Sequence, residues 1–236
     1  MPKSLGISGR WQGVACNKRK HPSIAASFAA RCSSRQLGRR KRGNVKQDEI
    51  VRIVEQGGQF LEEALNKYWP TNGNNEIAER NVTLALARAF AADDFYLYAE
   101  AHRKKDTKLR LDLLALNFQS SVQVAIEAKR LYNSDGAEGM LEDVNRILNF
   151  ELAKAGGVAN PLSHKYGVVI ALTRNKNYVD WFCNETAKDP KGKIWRKFWK
   201  KKALKNASWG AIHLQTWQEA GKEFQQNLVY CVFRVP

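Results

Sequence analysis

The chain has 236 residues, 44% of them hydrophobic, and a formal net charge of +16. That length and apolar content suit a folded domain with a real core and exclude wholesale disorder. No window approaches the roughly eighteen uninterrupted apolar residues of a membrane-spanning helix, so a transmembrane helix is excluded as well. Four cysteines (Cys16, Cys32, Cys183 and Cys231) stand far apart without a C-x-x-C pair. That spacing argues against a disulfide scaffold or a zinc ribbon and suits a reducing compartment, the cytoplasm.

The charge is unevenly placed. Residues 1–47 hold twelve Lys/Arg and no acid; residues 48–187 hold sixteen bases against twenty acids. Residues 188–205 hold nine bases and one acid, and 206–236 balance at two and two. A mildly acidic body therefore carries two basic appendages, a distribution that favours polyanionic partners: nucleic acid or an anionic membrane surface.

In chain order, residues 1–45 are rich in Gly, Ser, Ala and Arg and end in Arg39-Arg40-Lys41-Arg42-Gly43. They read as a mostly disordered basic arm. It lacks the apolar core of a secretory signal; its acid-free Arg/Ser/Ala composition is that of an organelle transit peptide or of a nuclear-type basic run. Residues 46–236 read as one domain. Helical spacing begins at Asp48, is interrupted at Gly57-Gly58 and stops at Pro70. The loop Asn72-Gly73-Asn74-Asn75 supplies an N-cap for a second helix over 76–91. Strands are predicted over 95–101, 109–116 and 122–128, the last two around the turn Asn117-Phe118-Gln119-Ser120-Ser121. A helix over 138–155, closed by Gly156-Gly157, leads to a buried-type strand over 166–173. Then follow a Lys/Trp-rich segment over 191–205, a strand near 209–216, a short helix and a last strand over 228–235. The order from Glu76 onward is α-β-β-β-α-β with C-terminal additions.

The hairpin around Gln119-Ser120 carries the chemistry. If it is centred between those residues, Asp112 faces Glu127 and Arg110 faces Lys129, with directly opposed Cβ atoms about 5 Å apart. Glu127 and Lys129, two apart, share a face with Asp112. Leu111, Leu113, Val124, Ile126 and Ala128 fall on the opposite, apolar face. Two carboxylates at that distance repel unless a cation lies between them. One or two carboxylates with waters and a substrate phosphate are the usual home of Mg²⁺, and a lysine alongside can orient or deprotonate the attacking water.

Leu111-Asp112, fourteen residues of spacer, then Glu127-Ala128-Lys129 resembles the PD-(D/E)XK signature of restriction-endonuclease-like nucleases. Aspartate opening the second strand, E-x-K ending the third and the α-β-β-β-α-β order over 76–173 are all similar to that superfamily's core; Leu111 stands where the name-giving proline would. The resemblance implies an α/β (α+β) fold with a central mixed four-stranded sheet flanked by helices, extended by C-terminal strands and helices. It implies a metal-dependent endonuclease acting on DNA with Mg²⁺ or Mn²⁺, Asp112 and Glu127 as metal ligands and Lys129 as the catalytic lysine. A further carboxylate from the first core helix is expected. Glu79 is favoured because it lines up with Val82, Leu86 and Ala89, whereas Glu76 suits the helix dipole and Glu100, near the end of the first strand, is a second choice.

Arg110, Arg130, Lys197, Lys200 and Lys201 are the expected nucleic-acid contacts. In the segment over 191–205 a helix would gather Ile194, Trp195, Phe198 and Trp199 on one stripe, to pack on the core or to enter a membrane interface. Asp143 reads as helix-surface charge. Competing with the nuclease is an inactive nucleic-acid-binding or interaction module on the same fold, in which the same charges merely solvate a strand face. Homodimerisation stays open, as does direction of the protein to an organelle or the nucleus by its arm.

Overall fold

A computed structural model of the chain describes residues 45–68, 77–103, 106–151, 162–183 and 204–236. The basic arm, the 72–75 loop with Glu76, Gly156-Gly157 and the greater part of 191–205, including Lys197, Lys200 and Lys201, lie outside the described residues. The elements run α1 (Val45–Tyr68), α2 (Glu79–Ala92), β1 (Tyr96–Arg103), β2 (Asp106–Asn117), β3 (Val122–Arg130), α3 (Ser134–Leu148), β4 (His164–Thr173), α4 (Lys176–Cys183), β5 (Ser208–Glu219) and β6 (Lys222–Arg234). The strands form one six-stranded sheet in the order β1-β2-β3-β4-β6-β5. Only the β3–β4 pair is parallel, bridged by α3; the other neighbours are antiparallel. From α2 to β4 the succession is the expected α-β-β-β-α-β, and the C-terminal strands extend the same mixed sheet instead of forming a separate layer.

Strand alternation divides the core in two. Val124, Ile126 and Ala128 of β3, with Val168 and Ile170 of β4, pack under α1 and α2 against Ile53, Val54, Leu86 and Phe90. The opposite face presents Ala125, Val169 and Ala171 to Met140, Val144 and Ile147 of α3 and to Trp181 and Phe182 of α4. Burial of large apolar side chains on both faces supplies the main driving force.

Several expectations are corrected. Helix α1 runs unbroken through Gly57-Gly58, because tertiary contact outweighs propensity there. A Cβ on Gly57 would lie 2.7 Å from Leu86 Cδ2, and one on Gly58 2.4 Å from Ile212 Cδ1, so these glycines let α2 and β5 approach the helix. Helix α2 starts at Glu79 behind Ala78, which makes no side-chain cap. Helix α3 starts earlier than predicted, where Asn133 accepts the Gly136 N–H (3.0 Å), and ends at Leu148. No helix separates the last two strands. A tight turn with positive φ at Ala220 and Gly221 joins them, and Trp217 stacks on Phe224 across the hairpin (5.6 Å). Helix α4 fills a stretch for which no element is predicted. Against the expectation from the cysteine spacing, Cys183 is disulfide-bonded, whereas Cys231 is a free thiol buried in the core. No helix among the described residues is long and apolar enough to cross a membrane.

Candidate active site

The β2–β3 hairpin has the register read from its turn. Leu113↔Ile126, Leu114↔Ala125, Ala115↔Val124, Leu116↔Gln123 and Asn117↔Val122 are paired, and the ladder stops at the next step, Asp112 and Glu127. Three features mark that stop. In the β1–β2 ladder the Glu100/Asp112 pair is missing between Ala99↔Leu113 and Ala101↔Leu111. Glu100 has a positive φ of 52°, a left-handed conformation unusual in a strand. The alternation of β2 also changes there: Leu113 belongs to the core under α1 and α2, but Leu111 to the core under α3. The expected shared face for Leu111 and Leu113 is thus corrected, by an irregularity at Glu100/Asp112 that turns β2 over.

Beyond Ile126, β3 keeps β4 on one side and takes side-chain acceptors on the other. The Ala128 N–H donates to Asp112 Oδ2 (2.8 Å), and the Arg130 N–H donates to Glu79 Oε1 (2.8 Å). Two acids thereby complete the hydrogen bonding of an edge from which β2 has departed, as buried or half-buried backbone donors require. Because Ala128 faces α1 and α2, its neighbours Glu127 and Lys129 project toward α3. There Glu127, 0% exposed, accepts from Arg146 Nη1 through Oε1 (2.8 Å). Its Oε2 is buried without a hydrogen-bond partner among the described residues. Asp143, also 0% exposed, lies 3.1 Å from Arg146 Nη1 and 3.6 Å from Lys129 Nζ, and Lys129 keeps 29% exposure.

The electrostatics follow from this crowding. Burial pushes the Glu127 carboxyl up to about 8, and the charges of Asp143 and Asp112 push the same way against Arg146. Burial raises Asp143 to about 6, opposed by Lys129 and Arg146. Three carboxylates, two of them desolvated, thus share one lysine and one arginine.

The structure brings Asp112, Glu127 and Lys129 together. Glu79 sits on the same open edge of β3 with its carboxylate on the Arg130 amide and 3.8 Å from the Arg130 guanidinium. Glu100 lies across from Asp112 but points outward, 3.9 Å from Arg110. Arg110 and Arg146 line a cleft of about 300 Å³ between β2 and α3, which adjoins the acidic cluster through Arg146. Asp143 and Arg146 are the residues that sequence reading missed. Asp143 is three residues after Met140 and four before Ile147, on the buried stripe of α3, and that spacing is the signal that it is not surface charge.

The donor set consists of carboxylate oxygens, the ligand type that suits a hard divalent cation, and Glu127 Oε2 has no hydrogen-bond partner among the described residues. Among the described residues, however, no three His, Cys, Asp or Glu side chains already converge as a ligand group, and Arg146 provides the nearest positive charge to Glu127. Comparison of the chain with protein-family models, curated proteins and solved structures gives no match.

Proposed function

We propose that the protein is a metal-dependent nuclease, hydrolysing phosphodiester bonds in DNA at the Asp112/Glu127/Lys129 cluster on a restriction-endonuclease-like core. The observation that carries this reading is the buried, unpartnered Oε2 of Glu127, set across from Asp112 just past the last paired step and two residues from Lys129. A fold that only needed solvated surface charge has no reason to bury an acid at this cost.

Glu127 and Asp112 would hold Mg²⁺ or Mn²⁺, with waters completing the shell; the ion, when bound, supplies Lewis acidity and a more acidic water. Asp112 is oriented by the Ala128 amide, and Glu127 by Arg146. Asp143 holds the Lys129 ammonium from behind, leaving its exposed side to orient the attacking water and to stabilise charge developing on the phosphoryl oxygens. The attacking water gives up a proton to solvent as its oxygen bonds to phosphorus, the ester P–O bond breaks, and the departing alkoxide takes a proton from solvent.

The test is incubation of the purified chain with plasmid and short branched DNA in Mg²⁺, Mn²⁺ or EDTA. Cleavage in either metal and none in EDTA is expected. A chain that binds DNA and cuts none of these substrates in any metal is an inactive binding module. That second reading draws on one specific observation: the Arg146 guanidinium already neutralises Glu127.

A further inference from the structure

Among the described residues most large apolar side chains are buried, and three of the four exposed ones lie together. Tyr96 (63% exposed), Tyr98 (53%) and Phe118 (46%) remain in solvent at the free edge of the sheet. Scattered exposed aromatics are ordinary, but neighbouring ones form a patch. Tyr96 and Tyr98 are two apart on β1 and so share a face, about 7 Å from each other. The Tyr96 and Phe118 rings meet at 5.6 Å.

The face they occupy is the one that carries the acidic cluster. Tyr96 pairs with Leu116 and Tyr98 with Leu114. Both leucines belong to the core under α3, toward which Glu127 and Lys129 also project. Along β2, Leu116 and Leu114 lead to the irregularity at Asp112, past which Leu111 and Arg110 line the cleft beside α3, so the aromatic rings lead over about 13 Å to Asp112 and then to the cleft. That cleft has guanidiniums on both walls, Arg110 and Arg146, with Glu142 the acid in its lining.

We infer that this track seats an unpaired stretch of a nucleic acid strand, with bases stacked on Tyr96, Tyr98 and Phe118 and phosphates led toward Arg110 and Lys129. The inference rests on the phosphodiesterase reading above and names its substrate class as single-stranded or branched nucleic acid. Aromatic rings can stack only on base faces, and a continuous duplex hides those faces inside its own stack while presenting phosphates and sugars. Cationic groups, in contrast, serve either kind of strand. The combination at this edge, three uncharged rings followed by guanidiniums, is complementary to a strand whose bases are free at one end of the site and whose backbone is gripped at the other.

The experiment is fluorescence anisotropy of the full chain in EDTA, with a labelled fifteen-nucleotide single strand and its blunt duplex. Wild type should bind the single strand more tightly. Tyr96→Ala/Tyr98→Ala should lower single-strand affinity by about 10- to 100-fold and change duplex affinity by less than about twofold, with an unaltered melting temperature. Tyr98→Phe, which keeps the ring, should bind as wild type does. Unchanged single-strand affinity in the double alanine variant would overturn the inference, as would parallel loss for both nucleic acids. A wild-type dimer that the double variant converts to monomer would also overturn it, assigning the patch to a second copy of the chain. Cleavage in Mg²⁺, assayed in parallel, separates the two ideas. Ring-dependent single-strand binding without cleavage leaves the track standing and removes the hydrolytic reading.

Discussion

The two helical layers cover the same sheet with different contents. Under α1 and α2 the core holds no fully buried acid and runs from Ile50 and Ile53 through Leu86 and Phe90 to Val168 and Ile170. Under α3 and α4 the packing is as dense, with Met140, Val144, Trp181, Phe182 and Trp209. Yet that layer also holds Glu127 and Asp143, the only fully buried acids among the described residues. Burying an acid without full compensation costs stability, so one layer holds the fold together while the other spends part of that stability on a charged site. Damage to each layer should therefore register in different measurements.

The largest effect should come from the charged layer and leave folding alone. Lys129→Ala is expected to reduce cleavage by about 10²- to 10⁴-fold, the range for loss of a positioned acid, base or charge, with an unchanged circular dichroism spectrum. Cleavage at the wild-type rate would remove Lys129 from the chemistry. In the apolar layer the reverse holds. Leu86→Ala, at a site packed against Gly57, should cost about 2–5 kcal/mol and lower Tm by roughly 5–15 °C, while activity at low temperature is retained.

A finer comparison is available at Asp112, which serves both layers. Asp112→Ala leaves the Ala128 N–H without its acceptor and should cost about 1–3 kcal/mol, whereas Asp112→Asn keeps an acceptor oxygen and should cost less than half as much. Both should lose cleavage. Equal melting temperatures for the two variants would show that the amide bond contributes little.

The smallest effect is one of pH. With its folded-state value raised to about 8 from an ordinary 4.5, Glu127 binds more proton in the folded chain than in the unfolded one across that window. Stability should thus fall as pH rises from about 5 to 8 and level off above. Glu127→Gln should flatten this slope and raise Tm at pH 8.5, with little change at pH 5. Divalent cation binding to the ionised site should stabilise wild type more at pH 8.5 than at pH 5.5. A flat profile between pH 5 and 8 in thermal melts would mean that Glu127 is ionised throughout.

The part of the site made by local geometry was legible in the sequence. A turn at Gln119-Ser120 and period-two alternation were enough to set Asp112 against Glu127, because register is fixed by the turn and by which face is apolar. What depends on a distant element was not. Asp143 and Arg146 reach Lys129 and Glu127 only after α3 has crossed over to join β3 to β4, and no local pattern states that crossing. The glycine pair in α1 misled for the same reason: helix propensity counts against it, while the surfaces of Leu86 and Ile212 that require it come from elsewhere in the chain. Between β5 and β6, short-range helical spacing gave way to cross-strand pairing of Trp217 with Phe224.

Near the start of α1, Gln47 Nε2 donates to the Asn206 carbonyl, the Ser208 hydroxyl and the Val232 carbonyl, across separations of 159 to 185 residues. On the ribosome the first helix must therefore wait for the last strands. At usual elongation rates of about 5–20 residues per second, that interval is on the order of ten to forty seconds. During it, the apolar stripe of α1 has lost its exit-tunnel shelter and has not yet met β5 and β6. The nascent chain is most open to chaperone capture, or to aggregation, in that interval.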